Sequence, residues 1–195
     1  MRKINLKTEC SGIEWGQFLT LTEKLKRNKE YKFLLLISIG GYCGLRLGDI
    51  LSLKWQDIID KDEFELHEGK TGKHRKITFH DSLKETISFC FNELSKEKYI
   101  DVNHFIFCNK QRKVLSRQFI NRRLHQIFKA NKVRVLNGSS HTLRKTFGKR
   151  VYEMNDNSEA SLILLSSIFN HSSTSITRKY IGITQEKIQD VYMNL

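Results

Sequence analysis

Residues 64–80 read FELHEGKTGKHRKITFH, and their spacing decides the fold class. Apolar and polar residues alternate on both sides of a glycine-containing centre, with Phe64 and Leu66 before it and Ile77 and Phe79 after it. A period of two lays one set along a single face of a pleated strand. Two such runs around Lys70-Thr71-Gly72-Lys73 predict an antiparallel hairpin. On either side of this stretch the apolar residues return at helical intervals. Glu14–Lys26 predicts a first helix, with Trp15, Phe18, Leu19 and Leu25 on its apolar face. Tyr31–Tyr42 predicts a second, apolar on most sides and therefore buried. The segment GGYCGLRLGD breaks the pattern, and Asp49–Trp55 predicts a short helix after it. Leu83–Leu94 and a helix capped by Ser116 and running to about Ala130 follow. After the polar break 137–140, further helices are expected at HTLRKTFGKRVYEM, at Ser161–Phe169 and at Gln185–Tyr192. The expected fold is mixed: mainly α with a small antiparallel β-sheet (α+β).

Composition bounds the rest. A chain of 195 residues with 39% hydrophobic and 28% charged residues is enough for one packed domain. It has no proline and only 11 glycines, so no flexible linker divides it. Lys and Arg number 34 against 21 Asp and Glu, a net charge of +13. That excess speaks of partners rather than fold, and nucleic acid is the leading one, because neutralising phosphates releases counterions. Charge alone does not separate this from a merely basic protein. Cys10, Cys43, Cys90 and Cys108 form no CxxC pair, so neither a zinc site nor a disulfide framework is expected. Cys43, Cys90 and Cys108 sit among apolar neighbours and read as buried thiols. The N-terminus lacks a signal-peptide core, and the longest apolar run, Phe33–Ile39, is too short to span a bilayer. A cytoplasmic protein without membrane contact is expected.

Chemistry is suggested by GLRLGDILSL with Arg46, EGKTGKHRKI with Lys70, HTLRKTF with His141 and Arg144, NHSS with His171, and RKYIG with Tyr180. Singly, each has an ordinary explanation: a surface charge, a solvated turn lysine, a helix start, a packed tyrosine. Taken together and in this order they resemble the tyrosine recombinase (phage integrase) family, from about Glu14 to Tyr192. The His-x-x-Arg pair and the closing run from His171 to Tyr180 carry the resemblance most strongly.

The resemblance implies a catalytic domain over residues 1–195 that breaks and rejoins DNA without metal or cofactor. The nucleophile would be Tyr180, forming a 3′-phosphotyrosine and releasing a 5′-hydroxyl; the covalent bond conserves the energy needed for religation. Arg46 and Arg144 would balance charge on the phosphoryl oxygens, a task suited to a fixed, forked donor. His171 would hydrogen-bond the attacked phosphate, and Lys70 would protonate the leaving oxygen, with Lys73 as its rival. His141 would take the tyrosine proton, since imidazole titrates near neutrality. Asp49 would organise the site from behind. Arg117, Arg122, Lys129 and Arg178, with Lys73, are candidates for backbone phosphate contacts.

The family usually has glycine where this chain has Asn170, a residue that tolerates left-handed backbone, so the turn is expected to survive. The family's N-terminal core-binding domain is expected to be absent, and the tail from about 183 to 195 to pass to a neighbouring subunit. The expected partner is double-stranded DNA, bound as a homotetramer on paired sites, with a monomer off DNA; the event is integration, excision or inversion. Two other readings stand beside this one: an inactive basic DNA-binding module, and DNA relaxation of the type IB topoisomerase kind.

Overall fold

A computed structural model describes residues 10–67, 72, 74–97, 100–183 and 192–194. Nine helices and one hairpin are found among them, in the order α1 (Trp15–Arg27), α2 (Tyr31–Cys43), α3 (Leu47–Leu51), α4 (Trp55–Ile58), β1 (Glu63–His67), β2 (His74–Thr78), α5 (Asp81–Leu94), α6 (Arg117–Ala130), α7 (Ser140–Met154), α8 (Glu159–Phe169) and α9 (Thr174–Ile181). The mainly helical α+β class is as the alternation and the helical spacing indicate. None of the described helices is long and apolar enough to cross a membrane.

The apolar α2 is the axis of the fold. Residues Phe33 to Gly41 are all buried, and α1, α5 and α7 pack around them. Gly40 lets α7 come close: a Cβ there would lie 2.8 Å from the Leu143 side chain. The hairpin pairs antiparallel with Phe64 opposite Ile77 and Leu66 opposite Arg75. Phe64, Leu66 and Ile77 face the core, as the alternation predicts. Phe79 lies just beyond β2 rather than inside it, yet it is buried and its ring stacks on Phe64 at 5.2 Å.

The helix expected over Gln185–Tyr192 falls almost wholly outside the described residues, and among those described one expected element differs. Instead of a single helix over Asp49–Trp55, the chain forms α3 and α4 with an extended break at Lys54. The cause is tertiary. Lys54 bridges Phe105, Ile106 N–H donates to Leu53 O at 3.0 Å, and the Asp57 carboxylate receives Lys54 N–H at 2.7 Å. These bonds draw the backbone out of helical geometry, where local propensity is a weak force.

The apolar side chains form two clusters. The larger runs from Ile13 to Leu143 and contains α2. The smaller consists of Tyr152, Leu162, Leu165, Phe169, Ile181 and Ile183, with Phe147, Val151, Ile168 and Tyr180 against it. Helix α7 belongs to both, giving Leu143 to the first and Tyr152 to the second. Cys43, Cys90 and Cys108 are buried free thiols and Cys10 is half-buried. Burial pushes the Cys43 and Cys90 thiols up to about 12, which keeps them unreactive.

Candidate active site

The two clusters meet at a cavity of about 890 Å³. Its lining includes Arg46, Asp49, Arg117, His141, Arg144, His171 and Tyr180. These residues come from five separate helices or their edges, far apart in the chain. Lys70 and Lys73 lie outside the described residues. Arg122, Lys129 and Arg178 do not line the cavity: Arg122 lies over the Phe119 ring at 5.8 Å, Lys129 is exposed, and Arg178 pairs with Glu159 at 2.5 Å.

Arg46 is the residue that caps α3, directly after the α2 terminus. The turn before it depends on Gly44, which ends α2 with φ +60°. A Cβ at Gly44 would also lie 2.4 Å from the Phe147 ring, so glycine is required twice over. The carbonyl of Gly44 accepts from Arg144 Nη1 at 2.5 Å. Arg144 sits in the first turns of α7, where the Ser139 and Thr142 side chains form a capping box. It is only 3% exposed, so its charge must be met by geometry. Its Nη2 donates to Phe169 O at 3.1 Å, and its guanidinium lies 4.2 Å from the centre of the Phe169 ring. Arg46 Nη2 donates to the same Phe169 oxygen, also at 3.1 Å. That oxygen is at the C-terminal end of α8, where the helix dipole is negative and attracts cations.

The chain then turns at Asn170, which adopts φ 53° and ψ 50°, the left-handed geometry expected of a glycine substitute. The His171 N–H bonds back to Ser166 O at 2.9 Å, which fixes the turn. The His171 ring forms a three-ring cluster with Phe169 and Tyr180, its centroid 5.4 Å from each. Its Nδ1 is 2.9 Å from Thr177 Oγ1. Burial, aided by the positive charges of Arg144 and Arg46, pulls the His171 pKa below its ordinary value, so the ring is neutral at pH 7.

Tyr180 is held on α9, whose start is capped by Ser173. Its ring meets Phe169 edge-on at 5.5 Å, and Lys145 Nζ lies 5.2 Å from the ring centre. Its hydroxyl is buried and makes no hydrogen bond of normal geometry among the described residues. Burial pushes the phenol up to about 12, while the Arg144 and Arg46 guanidiniums work in the opposite direction. An acidic proton that is hard to lose, next to two fixed cations, suits a nucleophile that is activated only when substrate and base arrive. His141 lines the cavity as an exposed residue on the first turn of α7, and Asp49 lines it as a buried residue of α3.

Sequence reasoning did not find three contributors. The Phe169 carbonyl seats both arginines, but a backbone oxygen carries no side-chain signature. Thr177 holds the His171 ring; it stands in the closing run from His171 to Tyr180, but nothing in the sequence assigned it this role. Asn121 lines the cavity and accepts the Ser140 N–H at 2.9 Å; its signal is the four-residue step from Arg117 along one face of α6.

Comparison with known proteins agrees with this geometry. Residues 13–187 match the Phage integrase family. The chain is 34% identical over 168 residues to "Probable integrase/recombinase YoeC" of Bacillus subtilis (strain 168), covering 86% of each chain. In structure it resembles XerH site-specific recombinase in its post-cleavage complex with palindromic difH substrate, with a TM-score of 0.70 and 18% identity over 93% of this chain and 52% of the other. It also resembles a lambda integrase tetramer bound to a Holliday junction, with a TM-score of 0.59 and 21% identity over 87% of this chain and 47% of the other. The chain thus spans about half the length of these two structural relatives. With the family match running through both arginines, both cavity histidines and Tyr180, the chain belongs to the phage integrase family.

Proposed function

We propose that the chain is a DNA strand breaking–rejoining enzyme, a site-specific recombinase that works through a phosphotyrosine at Tyr180. The observation that carries the reading is the convergence of Arg46, Arg144, His171 and Tyr180 on one cavity, with both guanidiniums seated on Phe169 O. The Tyr180 oxygen attacks phosphorus, the bond from phosphorus to O5′ breaks, and the 3′-phosphate stays on the protein. His141 takes the phenolic proton at the rim, and Lys70 donates a proton to the departing O5′. The remaining guanidinium donors of Arg46 and Arg144 hold the phosphoryl oxygens while charge builds, where each such donor is typically worth 10²–10³ in rate. Of the two neutral His171 tautomers, the one in which Thr177 O–H donates to Nδ1 leaves Nε2–H as a donor to the phosphate. Asp49 steadies the Arg46 turn from below. In the reverse reaction the free 5′-hydroxyl attacks the phosphotyrosine, and no external energy is needed.

The partner is double-stranded DNA, contacted along its backbone by Arg117, Arg122, Lys129, Lys73 and Arg178. The working form is a homotetramer on two paired sites, with the tail from 183 onward passed between subunits. The outcome is integration, excision or inversion of a DNA segment. The cavity disfavours an inactive binding module, since simple binding needs neither a buried tyrosine nor two converging arginines.

The test is SDS-resistant attachment to nicked duplexes cut from the flanks of the protein's own gene, without added metal. Wild type is expected to give a covalent band, and Tyr180→Phe to bind DNA without one. Attachment by Tyr180→Phe would remove the nucleophile assignment. A wild type that neither attaches to nor binds duplex DNA would overturn the reading as a whole.

A further inference from the structure

We propose that the cavity seats two consecutive phosphates of one DNA strand, and that Arg117 with Asn121 holds the neighbour of the phosphate that Tyr180 attacks. The inference rests on the reading of the cavity as a DNA site, and it adds a second, separate subsite to it.

The cavity is much larger than one phosphate group needs, and its polar residues fall into two sets. Arg46, Arg144, His171 and Tyr180 gather around the end of α8. Arg117 and Asn121 stand on α6, next to the α3 helix. The Arg117 Nη2 atom lies 2.7 Å from the point where a Cβ on Gly48 would be. Arg117 is exposed, and its guanidinium passes close over Gly48. Among the described residues Arg117 has no ion pair, whereas Arg123 of the same helix pairs with Glu30 at 3.0 Å. With Arg46 and Arg144, Arg117 gives the cavity three guanidiniums against the single carboxylate of Asp49, an excess of positive charge that favours an anion.

Asn121 is one helical turn beyond Arg117. Its Oδ1 accepts the Ser140 N–H at 2.9 Å, which settles the orientation of the amide. The Nδ2 group is thereby turned away from the backbone of α7, on a side chain that lines the cavity. A fixed amide donor beside a forked cation is a pairing suited to a phosphodiester, whose two free oxygens accept from both. Both sets line one cavity, so a strand laid across the first set also meets the second.

The experiment measures binding of a duplex of about 30 base pairs at several salt concentrations, with every protein carrying Tyr180→Phe so that no covalent step contributes. Arg117→Gln is expected to weaken binding about tenfold and to flatten the log–log salt dependence by about 0.9, the loss of one phosphate contact. Arg117→Lys is expected to keep the slope and lose only part of the affinity. An unchanged slope in Arg117→Gln would overturn the proposal. Failure of the recombinase reading is separate. A chain with Tyr180 intact that never attaches to DNA, yet loses slope with Arg117→Gln, keeps the second subsite and loses the chemistry.

Discussion

Arg46 and Arg144 donate to one and the same atom, the carbonyl oxygen of Phe169, each at 3.1 Å. Two like charges are thereby brought together by a shared acceptor at the negative end of a helix. The two differ in what else depends on them. Arg144 is buried and also holds Gly44 O, while Arg46 is half-buried. Arg144→Lys is therefore expected to cost about 2–4 kcal/mol of stability, because a lone ammonium leaves buried acceptors unfilled. Arg46→Lys is expected to cost no more than about 1 kcal/mol. Both should slow covalent attachment by about 10²–10³. Urea denaturation beside an attachment time course checks the pair; equal losses of stability would show that the buried seat is not what separates them.

Gly44→Ala forces a Cβ into a left-handed residue and against the Phe147 ring. A loss of about 1–3 kcal/mol is expected from the strain and the contact together. The Gly44 carbonyl moves with it, so attachment should slow as well. A melting temperature equal to wild type would contradict this account of the turn.

Thr177→Val keeps the shape of a buried side chain and removes only its hydroxyl. The His171 ring then loses the hydrogen-bond partner of its Nδ1 atom, the contact that holds it in place. Attachment is expected to fall about tenfold, the worth of one hydrogen bond, with DNA affinity unchanged. Thr177→Ser should restore most of the rate, and a failure to do so would point to packing instead.

Tyr180 titrates near 10 in an unfolded chain and at about 12 in the folded one. Between these values the unfolded chain gives up the proton and the folded chain keeps it, so stability falls as pH rises through this window and is unaffected below it. Wild type should lose up to about 1.4 kcal/mol per pH unit more than Tyr180→Phe above pH 10. At pH 7 the two should be about equally stable, since the hydroxyl removed has no hydrogen bond of normal geometry. Urea midpoints at neutral and alkaline pH test both halves.

Much of this was legible in the sequence. The hairpin showed itself because Phe64, Leu66 and Ile77 need one common face, and period two is unambiguous over that stretch. Arg46, His141, Arg144, His171 and Tyr180 were marked by residue type and order, and all of them line the cavity. Asn170 was readable as a left-handed turn residue because few side chains tolerate that geometry. What stayed hidden depends on contacts between distant segments. Nothing near Lys54 announces Phe105, the residue that splits the expected helix in two. Nor does the sequence announce that Glu159 pairs with Arg178.

The smaller apolar cluster has a consequence for how the protein fails. The seat of both arginines, the turn that carries His171 and the helix that carries Tyr180 all rest on that cluster, while α2 and the hairpin rest on the larger one. A fluctuation that loosens α8 from α7 would disarm every one of these groups in a single event and leave the bulk of the chain folded. A recombinase of the proposed kind would thereby lose its arginine seat, its cavity histidine turn and its nucleophile together, while the helix that Arg46 caps stayed in place.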